Sequence, residues 1–304
     1  MRRGHDRTPG ERGGVSGDDT PFRGGPGDAA RMRGIPLRSL PANAVTALAL
    51  CFGLSGVRFA ILGRWDLAVA SILFAGVLDG LDGRIARLLR AQSRFGAELD
   101  SLSDVIAFGV SPAVVIYLWS LHGLPQFGWT IALAHAVSCA LRLARFNANI
   151  DSADQPHKSA GFLTGVPAPA GAGLALLPII LWLATEPLQA ELAELRQALR
   201  SPYIVAPWAL FAAMLMISSI ATWSWSAFRL RRGVRLWALA AIGLFGAALV
   251  STPWTTLSIL SLGYLSIIPL GIKSYAKVRR ARGRAASAAV AGNATPSAPA
   301  GPPA

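Results

Sequence analysis

The sequence predicts an all-α fold, a polytopic bundle of about eight transmembrane helices with both termini in the cytoplasm. The 304 residues are 53% hydrophobic and only 15% charged. Long apolar runs are separated by short basic clusters, which is typical of polytopic membrane proteins. The net charge of +13 does not indicate a nucleic-acid-binding protein, because the basic residues occupy tails and short loops instead of one folded face.

The apolar runs define the predicted elements, since a helix needs roughly 17 to 25 mostly apolar residues to cross a bilayer. The predicted spans are 43–62, 66–88, 96–119, 127–147, 164–184, 203–228, 235–251 and 254–272. The flanking compositions divide the chain into a disordered cytoplasmic tail, a transmembrane domain and a disordered low-complexity tail, at 1–34, 35–280 and 281–304.

The basic residues predict the orientation of these spans. With the N-terminus in the cytoplasm, the inner segments hold most of the Arg and Lys residues, whereas the outer loops hold Arg64, Arg196 and Arg200. The positive-inside rule therefore predicts a multi-pass protein of the cell (inner) membrane with cytoplasmic termini. In the loop between spans five and six, ELAELRQALR (191–200) is predicted to be helical, either on the outer membrane surface or as an ordinary loop helix.

The segment DGLDGRIARLLRAQSRFGAELDSLSD (79–104) places ionisable side chains at the inner ends of spans two and three. Each such group inside a span costs about 2.5 to 3.5 kcal/mol on insertion scales, so we expect a compensating role. Asp79 and Asp82 share one helix face by their spacing, and so do Asp100 and Asp104. A turn that folds span three back against span two would bring both pairs together at the cytoplasmic end of a hairpin.

Four facing carboxylates would repel one another unless a positive charge lay between them. Divalent cations supply such a charge, and all-oxygen ligation favours Mg²⁺, Mn²⁺ or Ca²⁺ over zinc. Small residues at Gly80, Gly83, Ala86 and Gly96 flank the acids. They indicate either room for a bulky ligand such as a nucleotide or close helix–helix packing. Arg87 is predicted to hold a phosphate oxygen or to extend toward the membrane surface.

One pattern connects these acidic and small residues. It reads D-x2-D-G-x2-A-R-x8-G-x3-D-x3-D, through Asp79, Asp82, Gly83, Ala86, Arg87, Gly96, Asp100 and Asp104. The pattern resembles the signature of the CDP-alcohol phosphotransferase family at every fixed position. The resemblance implies a membrane enzyme that transfers the phosphoryl-linked half of a CDP-linked lipid or alcohol to a hydroxyl group, with CMP leaving.

The resemblance also implies roles for the site residues. The four aspartates would hold a two-metal site with Mg²⁺ or Mn²⁺, and Asp104 would also be the general base. The residues implied to contact the CDP group are Asp79, Gly83, Ala86, Arg87 and Gly96. A homodimer is a further implication, since members of this family are commonly dimeric.

Three further segments bear on the acceptor alcohol: ALRLARFN (140–147), GFLTGVPAPAGAG (161–173) and MLMISSIATWSWS (214–226). They resemble membrane-embedded family members that use L-serine, although Ala221 stands where those members usually have proline. The resemblance implies CDP-diacylglycerol and L-serine as substrates, within a membrane of lipids. Glycerol 3-phosphate, choline or inositol phosphate as acceptor stays open here, as does a cation transporter, a more remote alternative.

The inner end of span four carries candidate substrate residues. Arg142 and Arg145 share one helix face, and Asn147 follows near the membrane boundary. The arginines are predicted to bind a lipid phosphate or an amino-acid carboxylate, or else to anchor the helix at the inner boundary.

The segment LPANAVT (40–46) resembles the start of the family's first span, with an extra residue before Asn43. Helix capping explains Asn43 and Thr46 equally well. In span five, Pro167 and Pro169 indicate either a broken helix beside the site or a plain helix start.

Overall fold

The computed structural model describes residues 37–90, 93–148, 162–218, 221–223 and 235–269, and most of them are helical. The predicted tails, 1–34 and 281–304, lie outside the described residues, as does the basic segment 229–232. The helices are α1 (Leu40–Ile61), α2 (Trp65–Leu88), α3 (Arg94–Asp104), α4 (Ser111–Trp119), α5 (Gly128–Ala148), α6 (Ala168–Ala175), α7 (Leu177–Ala184), α8 (Ala193–Arg200), α9 (Pro202–Ile217), α10 (Arg235–Ser251) and α11 (253–269). Two short strands, β1 (Phe162–Thr164) and β2 (Ala221–Trp223), pair in antiparallel fashion.

Each of the predicted spans contains helix, but the helices differ in their fitness to cross a membrane. Within the described ranges, α1 and the continuous run Arg94–Trp119 are long and apolar enough. The α8–α9 pair, bent by 54°, would add a third if it forms one span. α2 has the length, yet it includes both Asp79 and Asp82 as well as three other charged residues. The count of eight spans and the cytoplasmic termini therefore stay predictions.

The sixth predicted span, 203–228, is shorter in the structure. α9 ends at Ile217, and Ser218 has an extended backbone conformation. The chain then forms β2, in which Thr222 lies opposite Leu163 of β1. Strand pairing thus satisfies backbone groups that a longer helix would have paired internally, and hydropathy alone does not distinguish the two arrangements.

The fifth predicted span is divided into two helices. α6 begins after Pro167, so the first prolines of this span mark a plain helix start. The interruption comes later, where α7 begins with Pro178 in its first turn. Pro178 has no N–H to donate to the Leu174 carbonyl, and the indole N–H of Trp208 donates to that carbonyl instead, at 2.7 Å.

A π-helical segment, Val105–Val110, joins α3 to α4 within one continuous helical run. It packs tightly against α1, since a Cβ atom added at Gly53 would lie 2.8 Å from the Cβ of Ala107. The fully buried His135 of α5 donates from Nε2 to the Phe108 carbonyl at 3.2 Å. These contacts hold the wide turn in place immediately after the last acidic residue of α3.

The helix pair α1–α2 forms the most extensive helix contact in the described part of the chain. The two helices approach closely at Gly56, where an added Cβ atom would lie 2.8 Å from Ile72. By contrast, α10 has large apolar side chains that the rest of the protein does not cover, such as Leu236, which is 77% exposed, and Val250, which is 85% exposed. An exposed apolar face of this extent is typical of a membrane protein, in which lipid covers it.

Candidate active site

The aspartates of α2 and α3 converge at one end of the bundle. Asp79, Asp82 and Asp100 each offer a carboxylate oxygen, and these oxygens all lie within 4.8 Å of one another. Asp104 lies beside them, because its carboxyl group shares a side-chain hydrogen bond with that of Asp79. The structure therefore brings together the four acids whose spacing predicted a common site.

The acid cluster has little compensating positive charge from the protein. Among the described residues, no Lys or Arg forms an ion pair with these acids, and the pair that is present joins Arg64 to Asp66 at the far end of α2. Asp82 is also only 5% exposed to solvent. Closely spaced oxygen ligands that form no ion pair with a described Lys or Arg suit a hard divalent cation such as Mg²⁺ or Mn²⁺, so the residues present fit a metal.

A threonine of α1 orients one of the acids. Thr46 donates its hydroxyl to Oδ2 of Asp82 at 2.6 Å, and Ser103 of α3 donates to the Thr46 carbonyl at 3.3 Å. α1 begins at Leu40 without a side-chain cap, so Asn43 and Thr46 lie inside the helix. The capping explanation is therefore wrong for both residues, and Thr46 belongs to the site.

A cavity of about 280 Å³ lies among α1, α2 and α3, beside the acid cluster. The predicted approach of span three to span two brings the acids together, but it is Val105–Val110 and α4 that contact α2, whereas α3 packs mainly against α1. The resulting gap leaves room for a ligand. Its lining includes the predicted CDP contacts Gly83, Ala86 and Gly96, together with Asp82 and Asp100.

Two further polar residues line this cavity: Asn43, for which the sequence left a family resemblance or helix capping open, and Ser93, which the sequence analysis missed. Asn43 lines it, and its buried Nδ2 has no hydrogen-bond partner in the described part of the chain. Ser93 also lines it and caps α3, since its Oγ accepts a hydrogen bond from the Gly96 N–H at 3.0 Å. A serine immediately before the start of an amphipathic run is a recognisable N-cap signal. The i, i+3 spacing of Asn43 and Thr46 likewise places both on one face of α1.

The surroundings of the glycines distinguish the two explanations for the small residues, which were room for a ligand and close helix–helix packing. A Cβ atom added at Gly80 would meet no described atom within 4 Å, and one at Gly83 would reach only Nη1 of Arg87, at 4.0 Å. Close helix packing therefore does not explain these two positions. Close packing does explain Gly96, because a Cβ atom added there would lie 2.9 Å from Oδ1 of Asn43. Arg87 is exposed, with its guanidinium turned back toward Gly83.

The three candidate acceptor residues on α5 have different surroundings. Arg142 interacts electrostatically with Asp104, so it lies near the acid cluster. Asn147 donates its side-chain amide to Oγ of Ser101 at 2.9 Å, which ties the end of α5 to α3. Arg142 is therefore the better placed of these two to meet a substrate.

Arg145 connects the segments that resemble the serine-using members. Its Nη2 donates to the Ser218 carbonyl at 3.4 Å. Gly165 lies under the same carbonyl with a φ of +76°, and an added Cβ atom would come within 2.9 Å of that oxygen. Only glycine fits this position readily, because the backbone is left-handed and the approach is close. The three segments thus meet at one point of the structure.

Comparison with known proteins gave consistent matches. A family model described as CDP-alcohol phosphatidyltransferase matches residues 39–215, and one described as CDP-alcohol phosphatidyltransferase 2 matches residues 234–269. The CDP-diacylglycerol--serine O-phosphatidyltransferase of Mycobacterium tuberculosis is 36% identical over 242 residues, or 80% of this chain and 81% of that protein. The protein of the same name from Mycobacterium leprae is 37% identical over 79% of this chain and 76% of its own length. A third, from Methanocaldococcus jannaschii, is 41% identical over 42% of this chain and 54% of its own length.

Proposed function

Because this chain belongs to the CDP-alcohol phosphatidyltransferase family, we propose that it transfers the phosphatidyl group of CDP-diacylglycerol to the hydroxyl of L-serine, which yields phosphatidylserine and CMP. The convergence of Asp79, Asp82 and Asp100 beside an open cavity carries the proposal. Serine as the acceptor is supported by the names of the similar proteins and by the meeting of Arg145, Gly165 and Ser218.

The proposed metal ligands are Asp79, Asp82, Asp100 and Asp104, which would hold Mg²⁺ or Mn²⁺ in a two-metal site. Bound divalent cations supply neutralisation of the pyrophosphate oxygens and stabilisation of the departing phosphate. The fit rests on an all-oxygen donor set with its oxygens within 4.8 Å for three of these acids. The hydrogen bond from Thr46 fixes the orientation of the Asp82 carboxylate.

Asp104 is the proposed general base. The serine hydroxyl oxygen forms a bond to the phosphorus that carries diacylglycerol, while the hydroxyl proton passes to the Asp104 carboxylate. The bond between this phosphorus and the oxygen that bridges to CMP breaks, and CMP leaves with that oxygen. Asp104 then releases its proton to water, which restores the base.

The cavity among α1, α2 and α3 is the proposed site of the CDP group. Gly83 leaves the backbone of α2 open to a ligand, and Ala86 and Gly96 form small-residue walls. Arg87 lies above Gly83, where its guanidinium would meet a phosphate oxygen. Asp79 would also contact the cytidine end of the nucleotide.

We further propose a homodimer in the cell inner membrane, with its active site on the cytoplasmic face. The positive-inside distribution of Arg and Lys supports this orientation, since the acid cluster lies on the side of the basic inner loops.

An acceptor screen tests the proposed function. Purified protein in detergent with CDP-diacylglycerol and Mn²⁺ or Mg²⁺ is expected to transfer the phosphatidyl group to labelled serine, and EDTA is expected to abolish the transfer. Glycerol 3-phosphate, choline and inositol phosphate serve as competing acceptors. Transfer to one of these but not to serine would overturn the acceptor and leave the family intact. Cation flux in proteoliposomes without any CDP substrate would instead support a transporter.

A pair of glycine substitutions tests the nucleotide site. Gly83→Val is expected to raise the KM for CDP-diacylglycerol at least about tenfold, because the new side chain would enter the cavity that the nucleotide needs. Gly80→Val is the matched control on the same helix, since that position also has open space but does not line the cavity. Equal KM values for the two variants would rule out this placement of the nucleotide.

A further inference from the structure

Several buried polar side-chain atoms have no hydrogen-bond partner in the described part of the chain, and two of them belong to residues that interact electrostatically with each other. These two are the Nε–H of Arg142 on α5 and the O–H of Tyr264 on α11. Buried polar groups in folded proteins are nearly always paired, because an unpaired one loses its hydration without compensation. Two such donors close to an active site therefore indicate a place where a ligand supplies the acceptor.

The two donors belong to one neighbourhood, although they come from helices far apart in the sequence. Arg142 interacts electrostatically with both Tyr264 and the proposed base Asp104. Tyr264 is partly buried and packs against the hydrophobic core. Asn147, by contrast, has a protein partner of its own in Ser101. The Nε–H of Arg142 and the O–H of Tyr264, unlike the Asn147 amide, therefore have no acceptor among the described residues.

We infer that Arg142 and Tyr264 form the receiving site for an anionic group of the acceptor substrate, the carboxylate of L-serine. The inference rests on the proposed function. A carboxylate presents two oxygens with several lone pairs, so it can accept from the guanidinium and from the phenol together. Arginine adds a permanent positive charge that offsets the buried negative charge. An amino acid held in this way would extend its hydroxyl toward Asp104.

The phosphates of CDP-diacylglycerol, like a carboxylate, present anionic oxygens that accept hydrogen bonds. The positions of Arg142 and Tyr264 indicate that they bind the acceptor substrate and not these phosphates. The cavity assigned to the nucleotide is lined by α1, α2 and α3, including Asn43, Gly83 and Gly96. Neither Arg142 nor Tyr264 lines it. The two donors therefore lie outside the cavity that would hold the nucleotide, as a separate acceptor site requires.

The substitution Tyr264→Phe removes one oxygen and tests the inference. The KM for serine is expected to rise at least about tenfold, since a hydrogen bond to a charged group is lost, while the KM for CDP-diacylglycerol stays within about twofold. Tyr203→Phe is the matched control, because Tyr203 is 78% exposed on α9. Thermal unfolding in detergent verifies that both variants remain folded. An unchanged serine KM, or an increase confined to CDP-diacylglycerol, would overturn the inference.

A change in the acceptor provides the second arm of this experiment. With serine methyl ester, which lacks the carboxylate charge, wild type and Tyr264→Phe are expected to have similar KM values; a penalty that persists with the ester would contradict the assignment. The wild-type screen tests the proposed function separately. If wild type uses glycerol 3-phosphate in place of serine, that function fails, and the inference predicts the same KM increase for the phosphate-bearing acceptor. Use of choline, which has no anionic group, would overturn both.

Discussion

The Asp104→Asn enzyme is expected to turn over about a thousandfold more slowly than wild type and still to bind CDP-diacylglycerol. Asparagine has nearly the same volume as aspartate but does not accept the serine proton, and general-base catalysis is worth about 10²- to 10⁴-fold. The side chain at this position contacts Asp79 by a hydrogen bond, which an amide can maintain. Steady-state turnover with labelled serine and equilibrium binding of CDP-diacylglycerol measure the two quantities separately.

Asp66→Asn is the matched control for this substitution. Asp66 lies in the first turn of α2, paired with Arg64 at 3.5 Å, and its side chain is 43% exposed. Removal of its charge leaves the acid cluster at the other end of the helix unchanged, so turnover is expected to stay within about twofold, as for an ordinary surface pair. Turnover of Asp104→Asn close to that of this control would refute the base assignment.

Asp82→Asn is expected to raise the concentration of Mn²⁺ or Mg²⁺ needed for half-maximal activity by at least about tenfold. Loss of a residue that only hydrogen-bonds to a metal ligand already costs about 10- to 100-fold in metal affinity. Asp82 is proposed as a direct ligand, so its loss should cost at least as much. Its position supports this effect, since Asp82 is buried and oriented by Thr46. Activity as a function of metal concentration, after removal of bound metal with EDTA, gives the measurement.

Thermal stability distinguishes this loss from misfolding. Four clustered carboxylates repel one another in the absence of metal, so the loss of one charge is expected to leave the Tm of the metal-free protein unchanged or higher. Metal should then raise the Tm of Asp82→Asn less than that of wild type, because at a given metal concentration a weaker-binding ligand stabilises the folded state less. An unaltered metal requirement would show that Asp82 is not a ligand.

The acid cluster could be predicted because its geometry is local. The i, i+3 and i, i+4 spacings place Asp79 with Asp82 and Asp100 with Asp104 before any tertiary contact is known. The partner of α3 could not be predicted in the same way. α3 packs against α1 because Gly96 permits the close approach of Asn43, a contact between residues far apart in sequence. Thr46 was missed as a ligand-orienting residue for the same reason.

The helices themselves followed from hydropathy, and their interruptions followed only in part. Pro178 is visible in the sequence as a helix breaker, but the side chain that satisfies the freed Leu174 carbonyl is Trp208, 34 residues away. The early end of α9 at Ile217 depends on strand pairing between β1 and β2, which also involves distant segments. Apolar composition predicts where a helix can form and not where a competing partner ends it.

The wide turn at Val105–Val110 has a consequence for the direction in which the helix presents its two halves. Each α-helical residue advances about 100° around the axis. One inserted residue therefore rotates the side chains that follow it around the axis, relative to those that precede it. The stretch Ser111–Trp119 can then keep its apolar side toward the protein interior while Asp100 and Asp104 point to the other acids. In a helix of uniform pitch, the orientation of the acids would fix the orientation of the apolar side chains that follow. The π-helical turn lets the two halves of the helix be oriented independently.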